Sequence, residues 1–223
     1  ESSASSPTTA NGNLLETGGI VTIAWNGSST SSYPIVRYNV YKLQGGLFGY
    51  IGSVANPGYG TNNTSIIDDN ILPDLSKTPP NWETDILNST NNYPQAVSYH
   101  EQRRAFAGTN NDPQKIWFTK SGTESNMSYS LPINDDDRIA FKVAAREANT
   151  ILHIVPLTEL LLLTSSAEWR VTSVNTDALT PTSISVRPQS YVGSSNVTPV
   201  IINNTLVYGA SRGGHIRELG YNF

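Results

Sequence analysis

A short sequence phrase, in which two strand-like runs are joined by a polar turn, occurs three times in the second half of the 223-residue chain. The copies begin at Arg103, Glu159 and Thr205, and they read RRAFAG-TNNDPQ-KIWFTK, ELLLLT-SSA-EWRVTS and TLVYGA-SRGG-HIRELG. Each turn is rich in Gly, Ser, Asn or Asp, the residues that tolerate tight turns. The repetition predicts three hairpins in equivalent positions of three successive β units.

The copies begin about 45 to 55 residues apart, the range in which four-stranded units build the blades of a β-propeller. A propeller closes with about four to eight blades, whereas this chain has room for about three. A blade without neighbours leaves its apolar faces and strand edges open to other chains. The repeat therefore predicts an incomplete propeller that belongs to a larger assembly.

Composition agrees with an all-β chain that has many turns. Charged residues make up only 14% of the chain, and Ser, Thr, Asn, Gly and Pro fill the segments between apolar runs. The formal net charge of −4 argues against a general phosphate-binding surface, which needs clustered Lys and Arg. The absence of Cys excludes disulfides and thiolate metal sites, and the apolar stretch from Ile151 to Leu163 is too short to span a bilayer.

The first half of the chain predicts a small antiparallel sandwich. Alternation in VTIAW indicates a half-buried strand with Trp25 in the core, and RYNVYKLQ indicates a second strand with Tyr38, Val40 and Lys42 on one face. The turn at Gly45-Gly46 then leads into a third strand, LFGYIGSVA, and TSIIDDNIL supplies a fourth.

This order of strands resembles the fibronectin type III pattern, with Trp25 at the place of its early core Trp. The later Tyr-rich strand of that pattern is missing, and the Pro79-Pro80 pair indicates a stiff connection instead. We therefore predict a linker or the end of a preceding module at 1–10, a fibronectin-like sandwich at 11–78, a Pro-rich linker at 79–92 and propeller-like blades at 93–223.

The region from Tyr93 to Phe223 resembles the tail nozzle proteins of short-tailed bacteriophages, a family with propeller-like platforms and inserted fibronectin-like modules. The resemblance lies in an ordered series of phrases, which are YPQAVSYHEQRRAFAGTNNDPQKIWFTKSG, DDDRIAFKVAAREANTILHIVPLTELLLLTSSAEWRV and YVGSSNVTPVIINNTLVYGASRGGHIRELGYNF. It implies a non-enzymatic virion protein that retains packaged DNA and forms the channel for its ejection.

The resemblance also implies partners and a location. Six copies would form a ring in the phage tail, in contact with the portal, the adaptor and tail fibre or spike proteins, after assembly in the cytoplasm of the bacterial host. DNA would pass through the lumen without specific binding, and neither a cofactor nor a metal is expected.

Three histidines, His100, His153 and His215, are the first candidates for chemistry, but they lie far apart in the sequence. A general base needs a positioned nucleophile and an orienting carboxylate, and the chain contains no HExxH motif. We predict structural roles for all three histidines and no catalytic residue.

The carboxylates of Asn134-Asp135-Asp136-Asp137 form the densest acidic cluster. Calcium needs about six to eight oxygen ligands, and three consecutive side chains cannot all point inward. We therefore predict a turn whose side chains cap their own backbone before the strand RIAFKVA.

A basic hairpin, Arg103, Arg104, Lys115 and Lys120, has Phe106, Trp117 and Phe118 interleaved, a combination that also binds single-stranded nucleic acid. Strand alternation favours ordinary sheet patterning, with Ile116 and Phe118 on one face and Lys115, Trp117 and Thr119 on the other. Arg212-Gly213-Gly214 likewise predicts a hairpin turn, since no helix follows to bind a phosphate.

The segment Glu168-Trp169-Arg170 predicts either a contact at a blade edge or a plain strand with alternating faces. The apolar run before it, Leu160 to Leu163, is continuous, which indicates a strand buried on both faces.

Two alternative functions remain open from the residues. A secreted glycan-binding or glycoside-hydrolysing propeller would need paired carboxylates at a pocket, for which Asp135–Asp137 and Glu168 are the suggestive acids. A plain binding module would use the sandwich for adhesion.

Overall fold

The computed structural model describes residues 4–9, 12–26, 35–57, 64–81, 87, 92–145 and 148–220. Within these residues the fold consists of strands and turns, which confirms the predicted all-β class. It contains no helix long and apolar enough to cross a membrane. The chain divides into two compact units, the first comprising 1–81 with 130–132, and the second comprising 82–129 with 133–223.

The described part of the first unit has four strands in two antiparallel pairs. They are β1 (Val21–Trp25), β2 (Arg37–Gln44), β3 (Leu47–Ala55) and β4 (Thr64–Asp68). β1 pairs with β4, and β2 pairs with β3 through the Gly45-Gly46 turn. Both glycines have positive φ, +60° and +89°, as a two-residue hairpin turn requires. These strands lie where the alternation predicts them.

The two pairs pack face to face. Trp25 of β1 meets Tyr38 of β2 edge-on with ring centroids 5.5 Å apart, and Lys42 of β2 forms a 2.9 Å ion pair with the buried Asp68 of β4. Tyr38 and Lys42 thus share the inward face, as predicted. Trp25 itself is only half-buried, which corrects the expectation of a fully enclosed core position.

We expect Trp25→Ala to lower the free energy of unfolding of the first unit by about 2 kcal/mol, below the roughly 3 to 5 kcal/mol of a fully buried aromatic ring. Chemical denaturation followed by fluorescence and circular dichroism measures the change. Leu72→Ala is the control, since Leu72 is 78% exposed. Equal midpoints for the two variants would show that Trp25 does not stabilise the sandwich.

The division between the units follows residue 81, inside the predicted linker at 79–92. Most of 82–92 lies outside the described residues, and so does part of the predicted linker at 1–10; residues 4–9 are exposed. The segment 130–132, which belongs to the first unit, was assigned to the propeller-like region by sequence. Leu131 N donates to Thr78 Oγ1 at 2.9 Å, a contact between residues 53 positions apart that no local pattern predicts.

In its described residues the second unit contains three antiparallel sheets in which neighbouring strands follow each other in the chain. The first sheet comprises β5 (Ala96–His100), β6 (Arg103–Ala107), β7 (Lys115–Phe118) and β8 (Ile139–Lys142). The second sheet comprises β9 (Ile151–Pro156), β10 (Leu160–Thr164), β11 (Glu168–Thr172) and β12 (Ser185–Ser190). The third sheet comprises β13 (Val200–Ile202), β14 (Thr205–Gly209) and β15 (Ile216–Gly220).

The three copies of the repeated phrase occupy equivalent places in these sheets. Each copy forms the second and third strands of its sheet, as the hairpins β6–β7, β10–β11 and β14–β15. In the third hairpin, Gly213 and Gly214 have φ values of +83° and +64°, so Arg212-Gly213-Gly214 is the predicted turn.

The second sheet packs against the first sheet on one face and against the third sheet on the other. Leu160 and Leu162 of β10 belong to the apolar cluster shared with the first sheet, whereas Leu161 and Leu163 belong to the cluster shared with the third. All five residues of β10 are buried, which confirms the strand predicted to be buried on both faces. Stacked antiparallel meanders of this kind are typical of propeller blades, and the closed propeller stays a prediction.

Candidate functional site

A cluster of polar side chains lies between the second and third sheets, beside their shared apolar cluster. Trp169 and Val171 of β11 face the first sheet, so alternation turns Glu168 toward the third sheet. The Glu168 side chain is completely buried, and the Ser190 hydroxyl at the end of β12 donates a hydrogen bond to its Oε2. Tyr208 of β14, which is 4% exposed, completes the cluster from the third sheet.

The electrostatics of this cluster keep Tyr208 protonated. Burial, together with the nearby Glu168 carboxylate, raises the pKa of Tyr208 to about 12, although the Ser190 hydroxyl and Arg217 act in the opposite direction. The phenol therefore keeps its proton well above physiological pH and can donate a hydrogen bond to Glu168.

An open groove of about 580 Å³ runs along β15 beside this cluster. Residues from the second and third sheets line it, which are Ser190, Tyr208, His215, Ile216, Arg217, Glu218 and Leu219. Tyr208 and Leu219 also belong to the apolar contact between these two sheets. The groove is therefore continuous with an interface that the fold has already formed.

Two polar side chains at the inner end of the groove are engaged with each other. Ser190 uses its hydroxyl proton on Glu168, and Glu168 is enclosed behind the lining residues. Glu218 lies on the opposite face of β15 from Arg217, because neighbouring residues of a strand alternate. Two carboxylates that face each other across a substrate, as glycoside hydrolysis requires, are not found among the described residues lining this groove.

The three histidines lie far apart, two in strands of the first and second sheets and one in a turn of the third. His100 ends β5, 3.6 Å from a carboxylate oxygen of Glu101, and His153 Nε2 of β9 lies 3.2 Å from the main-chain oxygen of Ser195. His215 lies in the exposed turn before β15. The part of the chain that the structure describes brings together no group of three or more His, Asp and Glu side chains able to hold a metal.

Burial lowers the pKa of His100, and the charge of Glu101 only partly offsets this. As the pH falls, His100 is therefore protonated in the unfolded chain before it is protonated in the folded protein. Its contribution to the free energy of unfolding is lost as the pH falls below about 6.5 toward the lower pKa of the folded state. We expect His100→Gln to reduce the fall in melting temperature between pH 7.5 and pH 5.5, with the exposed His215→Gln as the control. An unchanged pH dependence in the His100 variant would contradict this prediction.

The acidic turn predicted at Asn134–Asp137 is held around a buried arginine. Arg103 is 3% exposed, and its guanidinium donates to the main-chain oxygens of Thr119, Asp135 and Asp137 at 2.9, 2.8 and 2.5 Å, with that of Asp136 at 3.4 Å. Burial lowers the pKa of Arg103, and the charge of Asp136 opposes that change. The main-chain carbonyl groups of the acidic turn thus bind the guanidinium of Arg103.

The side chain of Asp137 caps the same turn. It is completely buried, and its Oδ2 accepts the main-chain N–H of Asn134 at 2.9 Å, the capping contact that the sequence predicts. Its Oδ1 lies 3.5 Å from Lys120 Nζ, which also forms a 3.2 Å ion pair with Asp136. The three acids therefore take part in a local structural network.

The remaining cations of the basic hairpin also contact groups of this unit. Arg104 forms a 2.6 Å ion pair with Glu124 and lies over the Tyr99 ring, and Lys115 lies 5.1 Å from the centre of the Trp117 ring. Trp117 and Lys115 share one face, as predicted, while Ile116 and Phe118 lie in the core between the first two sheets. This hairpin presents no array of uncommitted cations to a phosphate backbone.

No model of a known protein family matches the chain, and no curated protein sequence matches it significantly.

Sequence reasoning singled out Glu168 but missed Ser190, Tyr208 and Arg217. The available signal was alternation: Trp169 and Val171 are apolar partners of the first sheet, which places the charged residues Glu168 and Arg170 on the other face. Arg170 follows that pattern and pairs with Glu159 at 3.2 Å. The partner across the sheet interface, Tyr208, depends on how the second and third sheets pack, which alternation does not specify.

Proposed function

We propose that this chain is a structural segment of a bacteriophage tail nozzle that retains packaged DNA and forms part of the wall of the ejection channel. The observation that carries the proposal is the stack of three antiparallel sheets, in which the repeated hairpin occupies the same place each time. Such a stack gives a stiff wall, because close-packed side chains fill both faces of the middle sheet.

The charge arrangement supports a wall that DNA can slide past. The cations of the basic hairpin are engaged with carbonyls, carboxylates and aromatic rings of their own unit, and the chain has a formal net charge of −4. A lumen that does not neutralise phosphates releases few counterions and so holds DNA weakly.

The outer face of the third sheet supports assembly with other β surfaces. Residues that alternate away from Leu206 and Tyr208 expose apolar side chains there, with Val200 at 56%, Ile202 at 54% and Ile216 at 78% exposed. Exposed apolar faces of this kind mark interaction surfaces. We propose that this face lies against a neighbouring segment in a six-fold ring that contacts the portal, the adaptor and fibre or spike proteins of the virion.

The proposal is tested on the full-length protein of the open reading frame that encodes this chain. We expect closed rings in negative-stain electron micrographs and a hexameric mass by mass photometry. Ile216→Glu combined with Ile202→Glu should prevent ring formation, whereas Glu218→Gln on the same face should not. A full-length protein that stays monomeric, or that hydrolyses a glycan, would contradict the proposal.

A further inference from the structure

The turn of the β5–β6 hairpin has an unusual composition. His100 pairs with Arg103, so the turn consists of the Glu101-Gln102 pair, whose φ values are +46° and +60°. A two-residue hairpin turn requires positive φ at both positions, which Gly and Asn adopt most readily. The other two-residue turns of the described hairpins, Gly45-Gly46 and Asn203-Asn204, follow that preference. The backbone of Glu101-Gln102 is therefore strained.

The Glu101 side chain supplies a reason for the strained turn. Its Oε2 accepts the main-chain N–H of Leu179 at 2.7 Å, across 78 positions of the sequence. Leu179 lies in the connection between β11 and β12 of the second sheet. Asn suits the turn better, but its side chain is one carbon shorter than that of Glu. Strained residues persist where the surrounding structure holds them, and they cluster at clamps and switch regions.

The connection 173–184, which we call the β11–β12 loop, is closed on itself. Thr172 and Ser185 pair at its base. Apart from the contact just described, the hydrogen bonds that this loop forms within the described part of the chain join two of its own residues. Ser183 Oγ, for example, accepts the N–H of Val174 at 3.1 Å. A compact loop of this kind, with its ends close together, is an Ω-loop.

Leu179 is also the apolar anchor of the β11–β12 loop. It is 3% exposed and belongs to the apolar cluster between the first and second sheets, whereas residues 174–178 before it are exposed. Ile184, at the end of the loop, packs against the same cluster but is only partly buried. The hydrogen bond to Glu101 and the buried side chain thus hold the loop at a single residue. That residue can leave its place without a change in the pairing of β11 with β12.

We propose that the β11–β12 loop is a lid on this apolar cluster and that the Glu101 carboxylate is the clasp that holds the lid closed. In the closed state Leu179 fills its place in the cluster. In the open state the loop moves as a unit and uncovers that place, a local opening that does not require global unfolding. Glu101 is therefore a positioning residue that acts on the loop through Leu179. This conformational device goes beyond the nozzle assignment and does not depend on it.

Amide hydrogen exchange of the whole chain, resolved by residue with NMR, tests the clasp. Glu101→Ala removes the acceptor, and we expect the Leu179 amide to exchange about tenfold faster or more. Glu101→Gln keeps an oxygen acceptor on a side chain of the same length and should restore most of the protection. The amides of Leu161 and Leu162 in β10 should exchange at the parent rate in both variants.

Glu101→Asn separates the clasp from the stability of the hairpin. Asn relieves the turn, so the amides that pair β5 with β6 should be protected at least as well as in the parent, while the Leu179 amide loses protection. Asn203→Ala, in another two-residue turn, is the matched control and should leave Leu179 unchanged. Parent-like exchange at Leu179 in both Glu101→Ala and Glu101→Asn would overturn the proposal. Equal acceleration at Leu179 and Leu161 would overturn it too, since that pattern reports global unfolding.

A thiol probe reports the position of the Leu179 side chain directly. The chain has no Cys, so Leu179→Cys introduces a single reactive thiol whose labelling rate follows its exposure. We expect slow labelling with Glu101 present and labelling about tenfold faster when Glu101→Ala is added. Ala178→Cys, at an exposed position of the same loop, is the control and should react at one rate in both backgrounds. Equal rates for the Leu179→Cys thiol in the two backgrounds would contradict a lid held by Glu101.

Discussion

Arg103→Ala is expected to lower the free energy of unfolding of the second unit by about 3 to 5 kcal/mol. The substitution removes the donors for the main-chain oxygens of Thr119, Asp135 and Asp137, and each buried acceptor left without a partner costs about 1 to 3 kcal/mol. Arg103→Lys should recover only part of the loss, because an ammonium group cannot match the planar geometry of the guanidinium. Denaturant unfolding measures both variants.

Arg104→Ala is the matched control for this experiment, since Arg104 is the next residue of the same strand and contacts the exposed Glu124. Exposed ion pairs contribute little to stability. We expect its unfolding midpoint to stay close to that of the parent. Similar losses in the two variants would show that the acidic turn does not depend on the buried guanidinium.

Leu161→Ala and Leu162→Ala are expected to destabilise the second unit by similar amounts, about 3 to 5 kcal/mol each. The two residues are neighbours on β10, with 1% and 0% of their surfaces exposed, and they belong to different apolar clusters. If only one face of the sheet were covered, one of the two variants would lose much of the free energy of unfolding and the other would lose little.

The double variant adds a second readout for the stacked arrangement. Because the side chains point to opposite faces of one sheet, the two losses should add within about 0.5 kcal/mol. Val174→Ala, at a 60% exposed position of the same unit, is the control and should change stability little. A negligible loss for Leu161→Ala would contradict the packing of the third sheet on the second.

Strand positions follow largely from the sequence, because side-chain alternation and turn chemistry are local. The Gly45-Gly46 hairpin lies where it was predicted, and the apolar run of β10 is buried on both faces. The repeated phrase also marked the equivalent hairpins of all three sheets, since each copy carries the same strand–turn–strand pattern.

Contacts between distant segments were not predictable in this way. The carbonyl partners of Arg103 lie 16 to 34 residues away, and the Glu168–Ser190 contact depends on an irregularity in the pairing of β11 with β12 between Glu168 and Trp169. A bulge of this kind changes which residues face each other, and no sequence pattern specified it. The half-buried position of Trp25 was not predictable for the same reason. The ring is covered by Tyr38 of the other strand pair, and alternation does not specify how the two pairs pack.

The polar groove would also be present in a protein that binds glycans, so location in the particle separates the two functions. A nozzle segment needs its apolar outer faces covered by neighbours, whereas a glycan-binding module needs its groove open to solvent. Whether the groove residues Ser190, Tyr208 and Arg217 are covered by a neighbour or open to solvent therefore distinguishes the two functions.

Cryo-electron microscopy of the assembled particle whose genome encodes this chain tests the structural role most directly. We predict density for the three stacked sheets in a six-fold wall around the tail channel, with Ile216 covered. Density for this chain outside the tail, with the third sheet and its groove open to solvent, would contradict the nozzle assignment.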